Sequence, residues 1–366
     1  MALSYGLLCA RQILTPRSLS LSAFLSRKGS YGQTMLCHCM GKKAPYFELP
    51  RYGTFQAQLR HFYRSARQHI RGNKNVQQYS EFNSLFPHVQ FTCLVCGLSF
   101  VGAMIWNYEN IARHHKRIIE RGGMLEFPGI KKHTPPRNFG LLSQLINWYT
   151  SLPAGRKLIF HIIGVNCGIF LLWKFAPWQV MMRYFQCAPT KAHSVTSMVF
   201  STFSHVGSFH LAANMYVLWS FSKPIQMFLS KEEFFAFFLS AGTVSSLVSC
   251  MYKVRRGLLI PSLGASGAVY AVLAATCYMM PDSRVTLAVV GEIFDFSFSS
   301  KSAMYALLAV ETAGVLCGWK FFDHAAHLGG LLFGLWYMRY GQNWIWNKRQ
   351  HVMKFWHDIR QASKRN

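Results

Sequence analysis

Pro261-Ser-Leu-Gly264-Ala-Ser266-Gly267-Ala-Val-Tyr270-Ala-Val-Leu-Ala-Ala-Thr-Cys-Tyr-Met-Met280-Pro281 is the stretch whose reading decides the architecture. Proline breaks the helical ladder on its own side, so the two prolines confine an apolar helix of about 15 residues. A membrane-crossing helix needs about 20. This one is too short to span unaided, and its N-terminus, which carries a serine among small residues, must lie below the membrane surface.

Apolar runs continue on either side of it, at 158–175, 210–228, 234–251, 303–319 and 325–340. The chain of 366 residues is 51% apolar and only 14% charged, with its charges gathered outside these runs. That composition predicts an all-α polytopic membrane protein with a six-helix core. A further run at 91–108, ended by the interfacial residues Trp106 and Tyr108, predicts one extra transmembrane helix before the core, a 1+6 arrangement.

The first acidic residue is Glu48, preceded by Arg11, Arg17, Arg27, Lys28, Lys42 and Lys43 among many Ser and Leu. Such a composition predicts a mitochondrial transit peptide over 1–50. Next come an exposed basic segment at 51–90, the extra helix, a connector at 109–156 with some helix before Gly122-Gly123, the core at 157–341 and a basic amphipathic tail at 342–366. The formal charge of +26 lies in the N-terminal region, the loops and the tail, with no aromatic or Gly-rich RNA-binding pattern beside it. Topology and import account for it, and no nucleic-acid partner is expected.

Ten cysteines are scattered through the chain. Cys93, Cys96, Cys167, Cys250, Cys277 and Cys317 fall inside apolar runs and read as small hydrophobes. Cys93-Leu-Val-Cys96 lacks the second pair of a zinc site, and Cys37-His38-Cys39 lies in the import segment. No metal or cofactor is expected.

Three polar words open buried runs: His205-Val-Gly-Ser-Phe-His210-Leu-Ala-Ala-Asn214, Gly264-Ala-Ser266-Gly267 and Ala326-His327-Leu-Gly329-Gly330. Polar and ionisable groups at membrane depth are functional by default. His210 and Asn214, four apart, share a helix face and can both donate hydrogen bonds to a developing oxyanion. His205 falls in the turn before that helix, where fastening the connector is the simpler role. Taken singly, each polar residue is more readily explained as satisfying a neighbouring helix.

Gly267 and Ala271 form a small-xxx-small face, and Gly330 and Gly334 form another. Packing these faces together would bring Ser266 within reach of His327, as a nucleophile and its base require. Tyr270, one turn after Ser266, is placed to stack on the imidazole. His210, Ser266 and His327 each lie near the start of an even-numbered core helix, so helix parity puts them at one depth on one face. Asp323, four before His327, invites a triad reading, but helix capping is the simpler one.

This ordered set resembles the rhomboid family of intramembrane serine proteases: His-x4-His-x3-Asn on the second core helix, Gly-x-Ser-Gly on the fourth and Ala-His-x-x-Gly on the sixth. The likeness covers about 158–340. It implies a dyad of nucleophile Ser266 and base His327, and an oxyanion site from His210, Asn214 and the Ser266 backbone N–H. His205, Gly264, Gly267 and Tyr270 support them. The implied substrates are single-span membrane proteins that enter sideways from lipid.

The alternative is a silent rhomboid relative acting as a membrane adaptor or chaperone, although such relatives typically lack one or both of the residues at Ser266 and His327. A transporter would require internal repeats, and none is evident. Positive residues Lys174, Arg183, Lys191, Lys253, Arg255, Arg256 and Lys320 on the active-site face predict an N-terminus in the matrix and a C-terminus in the intermembrane space, and the import segment with the resemblance implies the mitochondrial inner membrane.

Overall fold

The computed structural model describes residues 85–120, 140–190, 193–286 and 297–365. The expected import segment, most of the basic segment after it and 121–139 of the connector lie outside the described residues.

Helix α1 (Phe86–Glu120) precedes α2 (Leu141–Ser151), α3 (Ala154–Phe175), α4 (Trp178–Phe185) and the short α5 (Ser197–Phe200), which runs into a 3-10 turn, Ser201–Phe203. Then come α6 (Ser208–Ile225), α7 (Lys231–Arg256) and α8 (Ser266–Met279). Strands β1 (Arg284–Thr286) and β2 (Ser297–Ser299) pair antiparallel with Val285 opposite Phe298. Helices α9 (Ser300–Cys317) and α10 (His324–Trp336) follow, and α10 continues as a π-helical stretch, Tyr337–Trp346, before α11 (Gln350–Arg365). By length and composition, α1, α3 and α7 can each cross a membrane, and α8 is a shorter apolar helix.

Helix α8 is the hub and packs against α6, α7, α9 and α10. It is apolar on every side, with small residues at most positions, and a helix of that kind belongs in an interior. Ala268, Ala271, Ala274 and Ala275 are all buried. Its closest neighbour is α10, where a Cβ on Gly330 would collide with the Gly267 carbonyl and one on Gly334 with the Ala271 backbone. The two small-residue faces therefore touch backbone to backbone.

Caps define where the polar words begin. Ser230 Oγ accepts from Glu233 N at 3.2 Å to open α7, and Asp323 Oδ1 accepts from Ala326 N at 3.0 Å to open α10. Gly257 and Gly318, both in the left-handed region, close α7 and α9.

Three elements depart from expectation. Helix α1 joins the expected 91–108 span and the helix expected before Gly122-Gly123 into one, because no glycine or proline falls between 103 and 120 and its polar half finds partners. Glu109 accepts from Trp356 Nε1 at 3.0 Å and pairs with Arg360 at 3.0 Å, while Tyr108 bonds His357 at 2.7 Å. The tail helix α11 thus lies along α1. Helix α6 stops at Ile225 rather than 228, with Pro224 in its last turn. The strand pair was not foreseen, since three-residue strands leave no periodic signal.

A side chain at position 330 would wedge α8 from α10. Gly330→Val is expected to lower the unfolding temperature in detergent, by overpacking worth at least 1–3 kcal/mol. Wild-type stability would show that the two helices do not meet there.

Candidate functional site

The start of α8 and the first turn of α10 meet at Ser266 and His327. Ser266 Oγ and His327 Nε2 are 2.8 Å apart, and His327 Nδ1 is 3.3 Å from Glu311 Oε1. A carboxylate can only accept, so the imidazole proton sits on Nδ1 and Nε2 is left to accept the serine O–H. Tyr270 lies parallel to the imidazole, with ring centroids 4.3 Å apart and planes 10° from parallel. The sequence pairing of Ser266, His327 and Tyr270 is thus realised in space.

Glu311 was not anticipated. It is the lone acid of α9 and is 3% exposed, and its second oxygen accepts from His324 Nδ1 at 2.6 Å. One carboxylate therefore holds two imidazoles, one of them the partner of Ser266. Room for the His324 ring comes from Gly314, where a Cβ would overlap it. The available signal was a single acid inside an apolar run, a placement that calls for a function or a partner.

His205, His210 and Gly264 form the adjoining wall. Gly264 has φ +131°, a conformation favouring glycine, and a Cβ there would lie 2.7 Å from His210 Cε1. The His205 and His210 rings sit 4.9 Å apart, and His205 Nε2 accepts from Ala265 N at 3.3 Å. His205 thus fastens the turn before Ser266. Asn214, one turn along α6, donates through Nδ2 to the His210 carbonyl at 2.9 Å. In this arrangement that N–H serves its own helix, and an amide carries a second one.

Comparison with known proteins places the chain in a family. The family model for the rhomboid domain matches residues 192–343. The mouse presenilin-associated rhomboid-like protein, mitochondrial, is 42% identical over 276 residues, which is 74% of this chain and 70% of the relative. The human protein of that name is 41% identical over 283 residues, 76% of this chain and 72% of the relative. This chain belongs to the rhomboid family. Yeast rhomboid protein 1, mitochondrial, is more distant, 30% identical over 230 residues and 62% of either chain. Mitochondrial relatives and apolar helices together mark a mitochondrial membrane protein.

Behind the serine, this rhomboid holds a polar node. The buried Lys253 ammonium of α7 contacts Ser262 Oγ at 2.6 Å and Asp323 Oδ2 at 3.0 Å, and Ser249 Oγ donates to the same carboxylate at 2.5 Å. Ser262 precedes Ser266 by four residues and Asp323 precedes His327 by four, so one cation ties both loops. Burial opposes ionisation of Asp323, yet Lys253, Ser249 and the Ala326 N–H hold its carboxyl well below the usual carboxylate range. Asp323 is a cap and an ion-pair partner, and it is Glu311 that faces the His327 imidazole. A small cavity of about 30 Å³, lined in part by Ser245, Ser262 and Asp323, borders Ser266 and has room for a water.

Glu311, His324 and His327 offer one oxygen and two nitrogens within 4.8 Å of one another, a set that could hold a divalent metal. Binding one would give up both imidazole–carboxylate hydrogen bonds. In the hydrogen-bonded arrangement both Glu311 oxygens and both Nδ1 atoms are paired, and His324 Nε2 is left buried without a partner.

Asp323→Asn preserves a capping oxygen but strands the Lys253 charge. Losing one partner of a fully buried pair costs about 3–5 kcal/mol. Asp323 keeps 19% of its side chain exposed, so about 2–3 kcal/mol is expected here. Thermal unfolding in detergent should show that loss, and adding Lys253→Met should recover most of it. An unchanged single variant would mean that Lys253 does not depend on Asp323.

Proposed function

We propose that this protein is an intramembrane serine protease of the mitochondrial inner membrane, cutting single-span membrane proteins in or near their transmembrane segments. The observation that carries this reading is the 2.8 Å contact between Ser266 Oγ and His327 Nε2, with Glu311 fixing the imidazole from the far side.

His327 takes the hydroxyl proton as Ser266 attacks the scissile carbonyl carbon, and the imidazolium so formed is stabilised by the Glu311 carboxylate. The carbonyl oxygen gains its charge beside the N-terminus of α8, where first-turn N–H groups have no partner within the helix. The Ser266 N–H, His210 and Asn214 are the donors we assign to it. The imidazolium next protonates the departing amine, and the peptide C-terminal to the cut leaves. A water then attacks the acyl-enzyme with His327 again as base, and the cavity beside Ser266 is where we place its source.

Tyr270 keeps the ring in plane throughout. Acyl transfer by a serine and a histidine base calls for no cofactor, and the substrate segment arrives from the lipid bilayer. Intact, aligned Ser266 and His327 weigh against an adaptor role, in which neither would be required. We read α1 as the extra helix of a 1+6 arrangement, with 1–50 removed on import, the N-terminus in the matrix and the tail in the intermembrane space.

Ser266→Ala and His327→Ala should each abolish cleavage of a single-span reporter by purified protein in liposomes, and the double variant should be scarcely worse, because the pair acts as a unit. Defects that multiply would show two independent roles, and cleavage by Ser266→Ala would remove the protease reading. Glu311→Gln should lower kcat by ~10² or more with KM nearly unchanged, as expected of a group that orients and stabilises the base. Full turnover in that variant would leave Glu311 a packing residue.

Orientation is tested with a C-terminal tag in mitoplasts whose inner membrane is intact. External protease should remove the tag, and a protected tag would reverse the topology.

A further inference from the structure

Cys187, in the loop after α4, and Cys250, in α7, are both buried, and their sulfurs lie 3.6 Å apart although 63 residues separate them in sequence. They occupy a small apolar cluster of their own with Met198, outside the main core. We propose that this pair is a redox modification site, at which a small peroxide closes a Cys187–Cys250 disulfide that slows the protease.

The chemistry balances with hydrogen peroxide as oxidant. The Cys187 thiolate attacks one peroxide oxygen, the O–O bond breaks, and the departing hydroxide takes up a proton to become water. This leaves Cys187 as the sulfenic acid. The Cys250 sulfur then attacks the Cys187 sulfur, the S–O bond breaks, and hydroxide leaves with the thiol proton as a second water. Two thiols lose two electrons and one peroxide gains them. The hydrogen bond from Cys250, reinforced by the Lys253 charge, holds the Cys187 thiol below its usual range even though burial acts the other way. Burial of both sulfurs favours a small uncharged oxidant over a bulky disulfide.

The consequence follows from what Cys187 is fastened to. A disulfide sets the sulfurs ~2.05 Å apart, so closure must draw them together by about 1.5 Å. Cys250 lies within a long, well-packed helix, and the loop is the partner that can move. Cys187 is bonded in both directions to Ser262, N to O at 2.8 Å and O to N at 2.9 Å, and Ser262 also contacts Lys253. Movement of Cys187 therefore pulls on the segment running from Ser262 through Gly264 to Ser266. Displacing a reacting group by ~1 Å can cost ~10² in rate.

The crosslink is independent of the protease reading, whereas its effect on turnover rests on it. Purified full-length protein in detergent is treated with hydrogen peroxide, its free thiols are alkylated, and non-reducing peptide mapping is run beside the reporter assay. We expect a Cys187–Cys250 linked peptide, a loss of turnover of about tenfold or more, and recovery of both on reduction with dithiothreitol. Cys250→Ala should form no link and keep its turnover in peroxide, while Ser266→Ala should form the link as readily as wild type. Glutathione disulfide should act far more slowly than peroxide. The proposal is overturned if no linked peptide forms, if it forms without loss of turnover, or if Cys250→Ala is inhibited equally. Should Cys250→Ala fail to fold, the linked peptide and its reversal in wild type decide the question.

Discussion

Everything at the site depends on the backbone contact between α8 and α10. Helices normally pack with axes 8–10 Å apart, a spacing set by intervening side chains. Here Gly267 and Ala271 meet Gly330 and Gly334 with almost nothing between them. Only that closeness allows a side chain as short as serine to reach an imidazole on the neighbouring helix. A larger residue at any of these positions moves the two polar groups apart and leaves each buried without its partner, which is costly in a low-dielectric interior. The same close packing compensates for the small hydrophobic drive between helices in lipid, because it maximises dispersion contact.

Position along the helix axes needs a second constraint, and Lys253 supplies it. Flat small-residue faces can slide, whereas an ammonium bound to Ser262 on one loop and Asp323 on the other fixes both helix starts at one level. A buried ion pair is a poor source of net stability, since desolvation offsets most of its attraction. Its value here is in registry. The Glu311 carboxylate serves the same end at a different point, holding His324 and His327 to α9 through the Nδ1 atom of each ring. Polar groups in this interior are therefore connected in sets, with each charge answered by several hydrogen bonds.

The sequence was most legible where chemistry and packing share a local word. Gly264-Ala-Ser266-Gly267 combines a reactive group with the small residues its helix needs, and Ala326-His327-Leu-Gly329-Gly330 does so on the other side. Tyr270 followed from helical spacing alone. Glu311 escaped because it lies on a helix with no motif and acts on a histidine 16 residues away, a relation that only tertiary packing creates. Lys253 looked like a positive loop-end residue for the same reason. The continuity of α1 was hidden because charge composition separated its apolar and polar halves, whereas the partners that order the polar half, Trp356 and Arg360, stand at the far end of the chain.

A further asymmetry separates the two ends of the bundle. Along α7, Glu233 at one end accepts hydrogen bonds from Tyr337 and Gln342, while Lys253 at the other serves the loops beside Ser266 and His327. The end bearing Glu233 is also where α1 is held, through Asn110 and Glu232. Helix α1 lies along α7 from that end, where its polar half also meets the tail helix α11, to the other, where Leu85 before it and its own Phe91 pack by the Cys187 and Cys250 cluster. Ser266 and His327 sit on helix starts preceded by loops, where the proposed protease would have to admit a substrate strand and water. Helices packed along their length, with loops only ahead of these two starts, reconcile rigid placement of Ser266 and His327 with access to them. That arrangement also makes the Ser262–Ala265 segment, fastened by Lys253, Cys187 and His205, the place where a small displacement bears most directly on the position of Ser266.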